Sequence, residues 1–458
     1  MRILVAGASG FVGQALIEAL RSLPGVEVIA FSRNPRPDYP PVRGHAGDLF
    51  SFRDIYEAME GCDQAVYLVH SMLPSADLVQ GNFADMDLIL VDNFARAARS
   101  RGVKHVMYLG GLVPEQGALS PHLQSRLEVE RCLIKALPTV TVLRAGMILG
   151  AGGSSFTILR RLVERLPVMA CPGWTQTLTQ PVDLRDLVQV FLRCLTDTTL
   201  QGHIWDVGGA RPLTYLEMLR LTAEALGKRP YFIPVGAFSP ALSRLWIRLI
   251  TGAPVELVNP LVESLLHPMV VAPRRRFPLT ELLATPFEES LRYWSGKVQS
   301  AVHAFNRPAL RERPRDVRSV QRLVLPRDKD AAWVAREYFR WLPHFFSLII
   351  RVRVEPLRCV FYFLRPQWVL LILSVSHERS TSDRQLLYIT GGWLASPNQG
   401  RGRLEFREAL DRRYVLSAIH EFRPALPWFV YKWSQAVVHL VVMNAFARHL
   451  RVLDEGIA

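Results

Sequence analysis

The feature that most constrains this chain is a glycine triplet close to its amino-terminal end. Gly7-Ala-Ser-Gly10-Phe-Val-Gly13 directly follows the apolar run Arg2–Ala6 and leads into a helical pattern. A strand that turns this tightly into a helix needs backbone freedom at each glycine. Gly7 permits the turn, Gly10 lets a pyrophosphate approach the main chain, and Gly13 lets the helix pack close against the sheet. The helix amino terminus then offers unpaired N–H groups and the positive end of its dipole to phosphates. Ser9, Phe11 and Val12 lie between these glycines and belong to the same candidate site.

The alternation that follows predicts a parallel sheet covered by helices on both faces, a Rossmann-type α/β fold. Six strands are expected, over residues 2–6, 27–32, 42–46, 64–69, 105–109 and 140–144. Such a sheet binds ligands at the carboxyl ends of its strands. From Gly150 to about Trp294 mixed helices and short strands continue as a substrate-side lobe, in which Thr214 and Glu217 form a capping box. Because 458 residues exceed what one core holds, a second domain is expected. The boundary is placed in residues 295–319, where proline and arginine alternate without an apolar period, so that residues 1–294 form the first domain. Residues 320–458 are predicted as a smaller α+β domain, with antiparallel strands over 358–364, 368–377, 384–394, 401–408 and 414–422. One long helix follows from about Leu426 to Leu453.

Charge and cysteine usage narrow the class. The net charge of +14 suits an anionic ligand or membrane surface, but no zinc-finger, winged-helix or RNA-binding signature accompanies it, so nucleic acid is not expected as a partner. Peripheral contact with an anionic membrane is retained. Five unpaired cysteines argue against a disulfide framework or a zinc site. The first residues run straight into a strand rather than a leader, and a cytoplasmic location is expected. The apolar stretch Trp368–Ser376 is half the length of a membrane span and reads as a buried strand.

The GxxGxxG spacing resembles the extended and atypical branch of the short-chain dehydrogenase/reductase superfamily, including its NmrA-like members. The resemblance resumes in Leu143-Arg144-Ala145-Gly146, Gln180-Pro-Val-Asp183-Leu-Arg-Asp186, Trp205-Asp-Val-Gly208-Gly209 and Pro286-Phe-Glu-Glu. It implies a nicotinamide dinucleotide cofactor. Which one is decided at the end of the second strand, where a carboxylate would favour NAD(H) and an arginine the 2′-phosphate of NADP(H). That strand ends Ser32-Arg33-Asn34, so NADP(H) is expected with Arg33 on the phosphate. By resemblance Asp48 and Leu49 contact the adenine, Val69 and His70 lie at the cofactor edge, and Arg144 joins the cofactor set.

Members of this superfamily pair a catalytic tyrosine with a lysine four residues on. Here His122 and Arg126 stand at those positions, on the helix that Ser120 and Pro121 open. His122 is a candidate acid or a first-turn structural histidine. Arg126 either holds the nicotinamide ribose or an acidic substrate, or pairs with Glu130 on the helix surface. The C-terminal strands and helix resemble the helix-grip arrangement of START and polyketide-cyclase-like proteins, which implies an apolar cavity. Polar clusters at His377–Arg384 and His420–Arg423 stand at its mouth or are solvated turns. The expected function is an NADPH-dependent oxidoreductase with an apolar substrate. The alternative is a catalytically silent NADP(H)-binding sensor or assembly protein.

Overall fold

In the computed structural model the chain forms two units, one of Met1–Leu73 with Leu90–Arg311 and the other of Pro74–Ile89 with Glu312–Ala458. The structure describes all residues except 36, 71–77, 116, 118, 237–247, 249, 253, 255–257, 259–261, 298–316, 347–349, 397–401 and 457–458.

In the first unit β1 (Arg2–Ala6), β2 (Glu27–Ser32), β3 (Val42–Ala46), β4 (Gln64–Tyr67), β5 (His105–Gly111), β6 (Val140–Ala145) and β7 (Ile204–Val207) build one sheet. Its order is β7-β6-β5-β4-β1-β2-β3, every pairing is parallel, and the order reverses beside β1. Parallel strands covered on both faces require apolar side chains in succession, as in Ile3-Leu-Val-Ala6, which is wholly buried. Six strands match the expected ones, with β4 ending at Tyr67 and β5 and β6 running on to Gly111 and Ala145. β7 was not expected. It is four residues long, and its Asp206 carboxylate is buried, accepting from Ala272 N at 3.0 Å and Arg275 Nε at 3.2 Å.

Helices of this unit whose bounds lie in described residues include α1 (Phe11–Arg21), α2 (Phe52–Ala58), α3 (Phe83–Ser100), α4 (Pro121–Ala136), α5 (Ser154–Arg165), α6 (Leu184–Thr196), α7 (Tyr215–Ala225) and α8 (Phe287–Ser295). α3 begins in residues of the other unit. α4 starts as its sequence requires, with Ser120 Oγ accepting from Leu123 N at 3.3 Å and Pro121 in the first turn. Thr214 and Glu217 close the expected capping box on α7. Around α5, α7 and α8 a separate apolar cluster forms from Phe156, Leu159, Met218, Leu219 and Phe287.

The second unit is an antiparallel sheet of β8 (Val317–Val324), β9 (Ile350–Glu355), β10 (Arg358–Phe363), β11 (Val369–Val375), β12 (Arg384–Gly391), β13 (Arg403–Ala409) and β14 (Tyr414–Phe422). Its order is β9-β10-β11-β12-β13-β14-β8, completed by Leu78–Gln80 paired parallel to Val317–Ser319. That short strand comes from residues assigned to the first domain, and three residues carry no readable period. Gln80 Nε2 donates to Ala436 O at 2.9 Å and Arg322 Nε to Asp85 at 2.7 Å, so the excursion is bound into this unit. The linker expected over 295–319 ends sooner, since residues 317–319 already pair in β8. β11 is not the buried strand expected from its composition. Only Leu373 is buried along it, the other six residues being half-exposed.

Among the described residues three helices accompany the sheet: α9 (Ala331–Phe345), α10 (Trp428–Trp433) and α11 (Gln435–Glu455). The expected long helix is therefore broken at Ser434, and α9, β8 and β9 are additional to the reading. α9 and α11 share one core with the sheet, in which the Tyr338 ring lies 5.3 Å from Phe406 and 5.0 Å from Phe446. Large aromatics thus occupy the face where the helix-grip resemblance implies a cavity. The cluster near Arg379 is a solvated turn, with Arg379 donating to the Tyr388 hydroxyl at 3.1 Å. His420 is buried instead, 2.9 Å from Glu405, which also accepts from Arg384 and Arg407 at 2.6 Å each.

Burial makes several histidines sensors of acid, His105 and His420 among them. His105 lies between Gln64 Oε1 at 2.9 Å and Thr141 Oγ1 at 2.8 Å, and burial pushes it down to about 4. Burial, with Arg403 and Arg407 adding repulsion, pushes His420 down to about 4 despite Glu405. Each is neutral in the folded chain but becomes protonated in the unfolded chain below its usual value of about 6.5. Stability is therefore present above that pH and lost as pH falls toward 4, by roughly 1.4 kcal/mol per pH unit for each group. Thermal melts between about pH 7 and 5 are expected to show a falling transition temperature, reduced in slope by His105→Gln. An unchanged melting temperature over that range would contradict the burial argument.

Candidate functional site

The glycine turn sits at the carboxyl end of β1, beside the switch in strand order. Gly7 adopts φ +92°, which only glycine tolerates well, and its N–H donates to Phe31 O at 3.2 Å. Gly10 N donates to Gly7 O at 2.9 Å. A Cβ on Gly13 would lie 2.3 Å from Gly7 O, so no side chain fits where α1 meets the turn. Gly10 caps α1 without a side-chain bond, and the first turn carries no acidic residue. The amides of Phe11, Val12 and Gly13 thus have no acceptor within the helix and no competing carboxylate in its first turn. Ser9 is exposed, and its carbonyl accepts from Gln14 Nε2 at 2.9 Å.

At the end of β2 the Ser32 hydroxyl is buried with no hydrogen-bond partner among the described residues, and the half-buried Arg33 follows. A shallow hollow lined by Ala8, Ser9, Ser32, Pro35 and Gly44 opens there. Asp48 closes its own turn by accepting from Phe50 N at 2.9 Å, and Leu49 is buried with its carbonyl held by Asn93 Nδ2 at 2.8 Å. Beyond β4, Val69 and His70 are half-buried. His70 stands edge-on to Tyr108 at 6.5 Å, and its Nδ1 is buried with no partner among the described residues. A cradle that a Cβ would fill, an orphan hydroxyl beside a cation and an orphan imidazole nitrogen fit a nicotinamide dinucleotide.

At the carboxyl ends of β5 and β6 lies a cavity of about 190 Å³. Gly111 and Ala145 supply its strand edge, and His122, Met147, Trp174 and Leu265 are among its other walls. Burial pushes His122 down to about 4, so its imidazole is neutral at pH 7. Among the described residues the other polar side chains in the wall are Ser155, Thr179, Tyr215 and Ser264, and none of the lining residues is a lysine, an arginine or a carboxylate. Burial pushes the Tyr215 phenol up to about 12, partly offset by its hydrogen bond with Thr179, so it stays protonated. His122 and Tyr215 are thus neutral donors in a mainly apolar wall.

Arg126 is not in that wall. It is buried, and burial pushes it down to about 9, with Tyr67 opposing the shift. The surface pairing with Glu130 does not form, because Glu130 is engaged by Arg144 through two bonds of 2.6 and 2.9 Å. Arg144, expected in the cofactor set, spends its Nε and one terminal nitrogen on that buried pair. Sequence reasoning missed Tyr215, Met147 and Trp174, whose pattern does not differ from that of core residues, and it missed the orphan state of Ser32.

Residues 3–128 match the model of the NAD dependent epimerase/dehydratase family. A 113-residue stretch is 32% identical to the auxiliary protein GraX of Staphylococcus aureus, covering 24% of this chain and 36% of that protein. A 260-residue stretch is 28% identical to the epimerase family protein SDR39U1 of Bos taurus, covering 51% of this chain and 83% of that one. Among solved structures, a nucleoside-diphosphate-sugar epimerase from Staphylococcus aureus aligns with TM-score 0.52 at 16% identity, over 64% of this chain and all of that one. The triphenylmethane reductase of a Citrobacter species, complexed with NADP(H), aligns with TM-score 0.51 at 20% identity, over 66% of this chain and all of that one. These likenesses establish the Rossmann-type fold of the first unit.

Proposed function

We propose that this protein is an NADP(H)-dependent oxidoreductase whose substrate is neutral and apolar. The observation that carries the reading is the cavity at the carboxyl ends of β5 and β6, where an open α/β sheet binds its ligands. A nucleotide sugar would bring a pyrophosphate, whose burial is costly unless cations or free backbone amides meet it. None of the described lining side chains is a cation, so the sugar nucleotides named for some relatives are not the preferred class.

Gly7, Gly10, Gly13 and the first amides of α1 would hold the pyrophosphate, Ser32 and Arg33 the phosphorylated ribose, and His70 the cofactor edge. When bound, the cofactor supplies or accepts a hydride. His122, neutral at pH 7, would polarise a substrate oxygen by donating its N–H, as would the protonated Tyr215 hydroxyl. Neither needs a lysine to tune it. The apolar wall would exclude water from the reacting face.

NADPH is expected to bind at least tenfold more tightly than NADH, a difference of about 1.4 kcal/mol or more that Arg33→Ala largely removes. Titration of both cofactors against both proteins measures this, and equal affinities in the unmodified protein would refute the assignment. Oxidation of NADPH is then followed with neutral quinones and aromatic ketones alongside nucleotide sugars. Turnover of the nucleotide sugars alone would overturn the substrate class. Tight NADPH binding with no turnover of either set would identify a silent binding protein.

A further inference from the structure

The last two helices carry an apolar face that their own unit leaves uncovered. α11 buries Ala436, Val442, Met443, Phe446 and Leu450 in the core. Val437, Val438, Leu440 and Val441 are exposed, and just before them Phe429 and Trp433 are 72% and 77% exposed. Phe429 and Trp433 share one side of α10, and Val437, Val438, Leu440 and Val441 share one side of α11 beyond the break at Ser434. Hydrogen bonds of 3.1 Å from Ala425 N to Leu394 O and from Ser396 N to Arg423 O hold a second aromatic group at this end. There Trp393, 61% exposed, lies 6.3 Å from Trp368, which stacks on Phe363 at 6.0 Å. Soluble proteins seldom leave so many large apolar side chains together in water without a partner.

Charge identifies the partner. No aspartate or glutamate occurs from Arg423 to Leu453, whereas Arg423, Lys432, Arg448 and Arg451 all lie there and all are exposed. Lys432 Nζ stands 5.8 Å from the Trp433 ring, and Arg365 lies 6.0 Å from the Trp368 ring. Tryptophan flanked by cations suits the boundary between lipid headgroups and acyl chains. A second copy of the same face would set cation against cation. Among the described residues Trp428–Glu455 is also long and apolar enough to cross a bilayer. Crossing would strip Val442, Phe446 and Leu450 from the core, which argues against a spanning arrangement.

We propose that this face docks peripherally on an anionic phospholipid bilayer. Phe429, Trp433 and Trp393 enter the headgroup region, while Arg423 and Lys432 meet the lipid phosphates. The full-length protein is tested by cosedimentation with vesicles of phosphatidylcholine alone and of phosphatidylcholine mixed with phosphatidylglycerol. It is expected to pellet with the mixed vesicles and to be released in part by salt. The double variant Phe429→Ser/Trp433→Ser should bind at least roughly tenfold more weakly, and Lys432→Glu at least roughly fivefold more weakly. All three side chains are exposed, and an unchanged thermal transition verifies that each variant is folded. A protein that stays in the supernatant with the mixed vesicles overturns the proposal, as does undiminished pelleting of the double variant. Self-association abolished by the same substitutions would overturn it in favour of a second copy.

Discussion

Replacing Gly13 by valine is expected to remove most cofactor binding and to destabilise the first unit. The new Cβ would stand 2.3 Å from Gly7 O and 3.1 Å from Ala8 Cα. Both obstacles are backbone, so α1 must move away from the turn. Overpacking of this kind costs about 1–3 kcal/mol. Moving the amides of Phe11 and Val12 also spoils the phosphate cradle, and a loss of NADPH affinity of about a hundredfold, or ~2.7 kcal/mol, is expected. Calorimetric titration and a thermal melt separate the two effects. Gly236→Ala is the control, since nothing lies within 4 Å of the added atom and the backbone there is unstrained. Wild-type NADPH affinity in Gly13→Val would mean that the cofactor is not held at this turn.

The second large effect is expected at His122. Removing a positioned proton-transfer or polarising group typically lowers turnover by about 10²–10⁴-fold. His122→Ala should therefore reduce kcat on an apolar carbonyl or quinone by about that factor while leaving NADPH affinity close to wild type. The pH profile carries independent information. Because burial holds His122 near 4, the neutral imidazole persists throughout the neutral range, and no inflection near the ordinary histidine value is expected. Activity should fall only as pH approaches that lower value. Tyr215→Phe provides the contrast: full turnover in His122→Ala with loss in Tyr215→Phe would transfer the donor role to the phenol. A clear inflection near pH 6.5 in the wild type would show that the ring is charged and discharged in the working range.

The parts of the site that were legible in the sequence are those dictated by local backbone geometry. A glycine whose Cβ has no room, an N-cap serine before a proline and a capping box each depend on neighbours within a few residues. Gly7, Gly13, Ser120 and Thr214 accordingly behave as their sequence context requires. Side-chain partnership was not legible. Glu130 lies on the same helix face as Arg126, yet pairs with Arg144 on a neighbouring strand, because a planar guanidinium reaching both carboxylate oxygens is favoured over an i, i+4 contact. Leu78–Gln80 escaped notice for a related reason. A three-residue strand has no period of its own, and its partner Val317–Ser319 is more than two hundred residues away.

By itself, the sequence determined where the parallel strands lie along the chain, the glycine turn after β1, the arginine that follows β2 and the existence of a second, antiparallel body. Those features follow from short-range sterics and from the burial each strand demands. Tertiary structure alone decided that His122 faces an apolar cavity while Arg126 does not, that Tyr215 joins that wall, and that burial moves both His122 and Tyr215 away from their ordinary titration ranges. It also decided that α11 buries one face and leaves the other uncovered. These outcomes depend on which distant segments exclude water from a given atom, and the cost of desolvating a charge or an apolar surface is set by that enclosure rather than by neighbours in the chain.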